Sequence, residues 1–123
     1  MALIVIAEDE FLIADVLSIM LEEAGHEVEA APHGLAALTL VKERRPELVI
    51  TDFMMPLMTG LELAQAIRED DELSKIPIIL VSGAQASIGR AHPEMFDAVL
   101  DKPYNEVRLL EAVDRALDTK LVR

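Results

Sequence analysis

Five short apolar runs recur along the chain and predict β-strands. Each is four to six residues long and most are rich in Val, Ile or Leu, which is typical of strands. Three of the runs are apolar on both faces, which favours strands covered by helices on both sides. The run Glu27–Ala31 alternates instead, which indicates an edge strand with one wetter face. The predicted strands are Leu3–Ala7, Glu27–Ala31, Leu48–Thr51, Pro77–Ser82 and Ala98–Asp101.

The first helix is predicted over Glu10–Ala24. Its apolar residues recur at spacings of three and four, and Gly25 follows as a left-handed cap would. We expect one stripe of this helix to face the core. Its members are Leu12, Val16, Ile19, Met20 and Ala24.

Three more helices are predicted further along the chain. Leu35–Arg44 repeats the helical periodicity, and Pro46 bars its continuation. Thr59 stands three residues before Glu62, the capping-box spacing, and opens a helix to about Glu69. A last helix begins after Asn105, a good cap. Its expected apolar stripe is Val107, Leu110, Val113 and Leu117.

The stretch Gln85–Met95 is the weakest predicted element. Gly89 and Pro93 interrupt it, so any helix there is short and mobile. Strand and helix alternate five times, which predicts an α/β fold with a doubly wound five-stranded parallel sheet and helices on both faces. In such sheets, ligands bind beyond the carboxyl ends of the strands.

Length, charge and cysteine content exclude several classes of protein. At 123 residues the chain predicts a single domain, residues 1–123. The formal charge of -12 disfavours binding to nucleic acid or to an anionic membrane surface. Cysteine is absent, which excludes disulfides, thiolate metal ligands and a cysteine nucleophile. No apolar run is long enough to span a bilayer, and no signal peptide is recognisable, so we expect a cytoplasmic protein.

Polar side chains follow the apolar runs at the edge where a ligand is expected. Glu8 and Asp9 follow the first run, and Asp52 follows the third. If those two strands are neighbours, three carboxylates converge. Two unit charges about 4 Å apart repel by roughly 4 kcal/mol at an effective dielectric of about 20. A hard divalent cation compensates such a cluster, and oxygen ligands without His or Cys suit Mg²⁺.

The other two strand ends add groups that recognise a phosphoryl group. Ser82 brings a hydroxyl and Lys102 an ammonium group. Three carboxylates, one metal ion, one hydroxyl and one ammonium group favour phosphoryl transfer, with Asp52 as the nucleophile.

At these residues the chain resembles the receiver domain of two-component response regulators. The resemblance extends over nearly the whole chain. Four stretches carry it, and they occur in the order and at the spacings of the family. They are residues 4–10 (IVIAEDE), 48–60 (LVITDFMMPLMTG), 79–84 (ILVSGA) and 100–104 (LDKPY). The resemblance implies the flavodoxin-like receiver fold, with strand order 2-1-3-4-5.

The resemblance also implies a metal site. Asp9 matches the residue that binds Mg²⁺ directly, and Glu8 matches the acidic neighbour that acts through a metal-bound water. Asp52 matches the phosphoacceptor, which shares the ion. The backbone carbonyl of Met54 matches a further ligand.

Three positions concern the phosphoryl group and the response to it. Ser82 matches the hydroxyl residue that turns toward the phosphoryl group. Lys102 matches the lysine of the site, whose bond to Pro103 is often cis in this family. The family usually has Tyr or Phe three residues before the lysine, but Val99 stands there. We therefore expect altered or weak coupling through the last two strands.

The function implied is a phosphorylation-dependent switch. A sensor histidine kinase or a histidine phosphotransfer protein would donate the phosphoryl group to Asp52, and a partner protein would read the new conformation. Such a receiver modifies its own aspartate rather than turning over a substrate. The terminal residues mildly favour a complete stand-alone regulator over a fragment of a larger one.

The sequence fits three other functions less well. A Mg²⁺-dependent phosphatase of the haloacid-dehalogenase type requires a second acid two residues after the nucleophile to protonate the leaving group. This chain has Met54 at that position. A nucleotide- or flavin-binding module needs a glycine-rich turn after the first strand, where this chain is acidic. A degenerate receiver that only docks partners would not need the complete acidic, hydroxyl and lysine set.

Overall fold

Five strands alternate with five helices. The structure, a computed structural model, describes the backbone of residues 2–122 and the side chains of residues 2–118. The strands are β1 (Leu3–Ala7), β2 (Glu27–Ala31), β3 (Leu48–Asp52), β4 (Ile78–Ser82) and β5 (Ala98–Asp101). The helices are α1 (Phe11–Glu23), α2 (Gly34–Arg44), α3 (Gly60–Glu69), α4 (Ala86–Arg90) and α5 (Glu106–Val122).

All five strands are parallel and form one sheet in the order β2-β1-β3-β4-β5. This confirms the predicted fold class, and β2 lies at an edge as its alternating pattern predicted. The register pairs Ala7 with Thr51 across β1 and β3. The residues that follow these two strands therefore start from the same edge of the sheet.

The sheet separates two apolar cores. On one face, helices α2 and α3 pack through Val41, Leu63 and Ile67 against strand residues of the central sheet. On the other face, α1 and α5 pack through Leu17, Leu21 and Leu109. A parallel sheet covered on both faces buries most of its central strand residues, and the central strands β1, β3 and β4 are almost entirely buried.

The buried face of α1 differs from the predicted one. Ala14, Leu17 and Leu21 are buried, while the residues of the predicted stripe are largely exposed. Leu12, Val16 and Ile19 are 75%, 54% and 50% exposed. Apolar residues surround most of this helix, so two stripes satisfy the helical period and the period alone could not choose between them.

The last helix shows a smaller shift of the same kind. Val107, which belonged to the predicted stripe of α5, is 65% exposed. Val113 is buried as predicted, and Leu109, Ala112 and Ala116 join it in the core. Ala112 and Ala116 belong to the same core as the strand residues on this face of the sheet.

The predicted helix caps are confirmed. Thr59 accepts a hydrogen bond from the Glu62 backbone N–H at 3.1 Å, and Glu62 accepts one from Thr59 at 2.9 Å. Asn105 Oδ1 accepts from the Arg108 N–H at 2.8 Å. Gly25 has φ of 97°, the left-handed conformation that ends α1.

His33 plays a role that its sequence context did not predict. Its Nδ1 accepts the Ala36 backbone N–H at 3.1 Å and so caps α2. Histidine is an uncommon cap, so local sequence gave no signal for it.

The weak element is short, as predicted. Helix α4 spans only Ala86–Arg90 and is followed by turns. Within residues 2–122, no helix combines the length and apolar character needed to cross a membrane.

Candidate functional site

Three carboxylates meet at the carboxyl ends of β1 and β3. Glu8, Asp9 and Asp52 each offer an oxygen, and these oxygens lie within 4.8 Å of one another. Glu8 is buried, Asp52 is half-buried and Asp9 is exposed. The convergence predicted from the order of the strands is therefore present. It follows from the direct pairing of β1 with β3.

Glu8 is the buried member of the cluster. Its side chain is only 4% exposed, and Oε2 accepts the Glu10 backbone N–H at 3.1 Å. Burial raises the pKa of Glu8, and the negative charges of Asp52 and Asp9 raise it further. The hydrogen bond from Glu10 and the charge of Lys102 oppose this rise in pKa. A cation at the cluster would favour the ionised form of Glu8.

Asp52 is fixed at the end of β3 by its own loop. Its Oδ1 accepts the Phe53 backbone N–H at 2.8 Å. The loop then returns to the strand, where the Gly60 N–H donates to the Phe53 carbonyl at 2.8 Å. Leu57 has φ of 71° within this loop, a turn conformation that a non-glycine residue seldom adopts. The carboxylate of Asp52 is thereby held beside Glu8 and Asp9.

Lys102 reaches the cluster from the end of β5. Its Nζ lies 3.5 Å from Asp52 Oδ1 and 3.7 Å from Glu8 Oε1. Its backbone N–H donates to the Ser82 carbonyl at 3.0 Å, which anchors the lysine to β4. The Lys102–Pro103 peptide bond is cis, as the family resemblance implied. One ammonium group thus contacts two of the three carboxylates.

Ser82 ends β4, one residue beyond Val81, which pairs with Asp52. The residue is buried, with 1% of its surface exposed. Its hydroxyl contacts the Oε1 atom of Gln85 at 3.4 Å. Ser82 therefore lies on the strand next to Asp52, with its hydroxyl engaged toward α4.

Tyr104 is a member of this region to which the sequence gave no role. It is half-buried and packs against the core that α1 and α5 share. Burial raises its pKa, and the negative charges of Glu8 and Asp52 raise it further. The only signal in the sequence is its position directly after Lys102 and Pro103.

Met54 and Val99 are the two apolar residues that the sequence singled out near the site. The Met54 side chain is 57% exposed and brings no acid or amide to the region. Val99, at the position usually aromatic in receivers, is half-buried and packs against the core on the α2–α3 face. The hydroxyl residue of the usual pair is present and the aromatic ring is replaced by a smaller side chain.

The donor set suits Mg²⁺. All three side-chain donors are carboxylates, the oxygen ligands that hard divalent cations prefer. The cluster carries more negative charge than the ammonium group of Lys102 can balance. A divalent cation would therefore relieve the repulsion that raises the pKa of Glu8.

Comparisons with known proteins agree with this site and fold. A family model described as the response regulator receiver domain matches residues 4–114. The polar-differentiation response regulator DivK of Brucella anthropi is 31% identical over 112 residues, covering 89% of this chain and 91% of that protein.

Two solved structures illustrate the structural likeness. The receiver domain of a signal transduction histidine kinase from Syntrophus aciditrophicus superimposes with a TM-score of 0.89 at 30% identity, covering 97% of this chain and 92% of the other. The chemotaxis response regulator CheY4 of Vibrio cholerae gives a TM-score of 0.86 at 30% identity, covering 94% and 98%. The chain therefore belongs to the receiver-domain family of response regulators and is a component of two-component phosphorelay signalling.

Proposed function

We propose that this receiver accepts a phosphoryl group on Asp52 in a Mg²⁺-dependent reaction and changes conformation in response. The observation that carries the proposal is the placement of Lys102 Nζ 3.5 Å from Asp52 Oδ1, beside the three-carboxylate cluster. A nucleophilic carboxylate, a candidate cation site and an ammonium group then lie within contact distance of one another.

In the transfer step, a carboxylate oxygen of Asp52 attacks the phosphorus of a phosphohistidine. The P–N bond breaks, its electron pair returns to the imidazole, and the product on this chain is an acyl phosphate. Lys102 would pair with an oxygen of the incoming group, and the Ser82 hydroxyl would donate to another after the transfer.

Glu8, Asp9 and Asp52 would hold Mg²⁺, with the backbone carbonyl of Met54 as a further ligand. When bound, the ion would neutralise charge on the phosphoryl oxygens and on the carboxylates. The direct role of Asp9 and the water-mediated role of Glu8 fit their exposure, because Asp9 is open to solvent and Glu8 is buried.

The phosphodonor would be a sensor histidine kinase or a histidine phosphotransfer protein, in the cytoplasm.

Apolar side chains are exposed on the segments that follow the acidic residues. Phe11 is 76% exposed and Leu12 75%, and on the Asp52 loop Met54 is 57% and Leu57 72% exposed. A partner that covers these side chains would exclude water from the transferring group.

The phosphatase alternative is not favoured. It requires a general acid near the leaving group, and Met54 stands where that acid would be needed. We therefore propose one phosphoryl group per chain, transferred to Asp52 and lost by hydrolysis, with no separate substrate turned over.

The test is reaction with a small acyl-phosphate donor, followed by intact mass. With Mg²⁺ we expect one labile adduct of the mass of a phosphoryl group, and none with EDTA or in Asp52→Asn. Asp101→Asn is the matched control, because Asp101 is an exposed carboxylate at the end of β5, two strands from Asp52, and pairs with Arg90 at 2.5 Å. It should be modified like wild type. An unmodified wild-type protein would overturn the proposal, and phosphate release over many turnovers would support the phosphatase.

A further inference from the structure

The buried hydroxyl of Ser82 is engaged by a residue that the receiver resemblance does not assign. Ser82 Oγ contacts Gln85 Oε1 at 3.4 Å, and Ser82 is 1% exposed. This distance is longer than the usual range of about 2.5–3.0 Å for a hydrogen bond between oxygens, so the contact is a weak one that a better acceptor can displace. Because a hydroxyl has a single proton, Ser82 can donate to Gln85 or to a phosphoryl group, but not fully to both.

Gln85 also forms the start of α4. Its backbone carbonyl accepts the N–H groups of Ile88 at 3.0 Å and Gly89 at 3.4 Å. The residue that contacts the Ser82 hydroxyl through its side chain therefore holds the first turn of α4 through its backbone. A change in the position of the Gln85 side chain acts directly on that turn.

Helix α4 rests tightly on the sheet next to Val99. Gly89 is buried, and a Cβ there would lie 2.4 Å from Leu80 Cδ2 and 3.1 Å from Val99 Cγ2. The helix backbone is therefore packed against the position where receivers usually carry an aromatic ring. With valine in that place, a rotating ring cannot carry the signal from Ser82, whereas the contact between Ser82 and Gln85 is available to do so.

We propose that Gln85 is a positioning residue that holds the Ser82 hydroxyl toward α4 before phosphorylation and releases it afterwards. This rests on the proposed function, since the competing acceptor is a phosphoryl group on Asp52. An anionic phosphoryl oxygen is a stronger acceptor than a neutral amide, so the hydroxyl turns to it. The freed Gln85 then shifts the first turn of α4, which is the signal that a partner reads.

The test compares Gln85→Met, which keeps the length of the side chain and removes its amide, in the wild-type and Ser82→Ala backgrounds. Gln85→Met removes the amide that the Ser82 hydroxyl contacts before phosphorylation. After phosphorylation the hydroxyl donates to the phosphoryl group, so the loss of the amide affects only the unphosphorylated state. We expect the initial rate of phosphorylation by acyl phosphate and Mg²⁺ to rise about two- to fivefold. In the Ser82→Ala background the same change should have no effect, because the two residues act through one contact.

A second readout follows α4 itself. In wild type, phosphorylation should shift the backbone amide signals of Ile88 and Gly89 in NMR spectra, and Gln85→Met should remove at least half of that shift. Ser87→Ala, an exposed change on the same helix, is the control and should behave like wild type. Gln85→Ala serves in the same way if Gln85→Met does not fold.

The outcomes separate the two proposals. A wild-type protein that is not phosphorylated at Asp52 overturns the proposed function and this inference with it. A wild-type protein that is phosphorylated, with Gln85 variants equal to it in rate and in the α4 shifts, overturns the role of Gln85 alone. An equal rate gain in both Ser82 backgrounds also contradicts the role of Gln85.

Discussion

Gly60, the first residue of α3, presses against the backbone of Asp52. A Cβ on Gly60 would lie 2.3 Å from the Asp52 carbonyl oxygen and 3.1 Å from the Phe53 Cα. Real Cβ atoms do not approach backbone atoms so closely, and neither backbone atom can rotate away. Glycine is therefore required at this position for the loop that carries Asp52 to close onto the strand.

Gly60→Ala should lower the free energy of unfolding by about 1–3 kcal/mol, the usual range for overpacking. Helix propensity alone would give the opposite sign, because alanine favours a helix by about 1 kcal/mol over glycine. Gly83→Ala is the matched control, since a Cβ there has no atom within 4 Å and should change stability little. Urea unfolding measures both, and a Gly60→Ala protein as stable as wild type would refute the steric argument.

Asp52→Asn should raise the melting temperature of the metal-free protein. The change removes one of three clustered carboxylates, while the amide oxygen can still accept the Phe53 N–H. Relief of about 1 kcal/mol corresponds to a rise of about 3–6 °C for a domain of this size. Added Mg²⁺ should stabilise wild type and reduce the difference. A melting temperature below that of wild type in EDTA would show that the carboxylates do not repel one another as argued.

Tyr104 offers a spectroscopic probe of the same charges. It is the single tyrosine and the chain has no tryptophan, so phenolate absorbance reports this residue alone. Burial and the charges of Glu8 and Asp52 raise the pKa of Tyr104 above its ordinary value. Its contribution to stability is therefore complete below the ordinary tyrosine pKa and is lost as pH rises through the higher value.

The titration midpoint of Tyr104 should be lower in Asp52→Asn than in wild type, because one of the nearby negative charges is gone. Mg²⁺ should lower it in wild type for the same reason. Absorbance against pH gives both midpoints. Equal midpoints in wild type, with and without Mg²⁺, and in Asp52→Asn would contradict the electrostatic contact.

The buried pair of Arg68 and Asp97 should matter more to stability than the exposed pairs. Arg68 contacts Asp97 Oδ1 at 2.9 Å and also donates to three backbone carbonyl groups, with its side chain 14% exposed. Asp97→Ala would leave the buried guanidinium without this carboxylate, and would also remove an acceptor of the Ile78 N–H.

We expect Asp97→Ala to lower the free energy of unfolding by about 3 kcal/mol. The control is Glu72→Ala, which removes an exposed partner of Arg45 and should cost under about 1 kcal/mol. Urea unfolding again gives the comparison. Similar losses of unfolding free energy in the two variants would show that the buried Arg68–Asp97 pair contributes no more to stability than an exposed pair.

Much of this fold could be predicted because its signals are local. Short apolar runs gave the strands, and caps such as Thr59 and Asn105 gave helix starts. The convergence of Glu8, Asp9 and Asp52 was predictable because chain position and sheet topology fix it together. The family motifs added the strand order that brings these residues to one edge.

Other features depend on tertiary contacts that no local pattern encodes. In α1, helical spacing alone allows either the face with Leu12 and Val16 or the face with Leu17 to be buried. Only packing on the sheet selects Leu17, and Leu12 and Val16 stay exposed. The Gln85 contact with Ser82 depends on the conformation of the turn between β4 and α4, and the influence of the acidic cluster on Tyr104 depends on how loops from different strands meet. The cap at His33 follows from the turn between β2 and α2 rather than from residue preference.

The most direct test of the account is calorimetric titration of Mg²⁺ into wild type and four variants. We predict one ion per chain in wild type, and clearly weaker binding in Glu8→Gln, Asp9→Asn and Asp52→Asn. Asp101→Asn, an exposed carboxylate at the end of β5 that pairs with Arg90, should bind as wild type does. Wild-type affinity retained in all three cluster variants would contradict the claim that these carboxylates form one magnesium site.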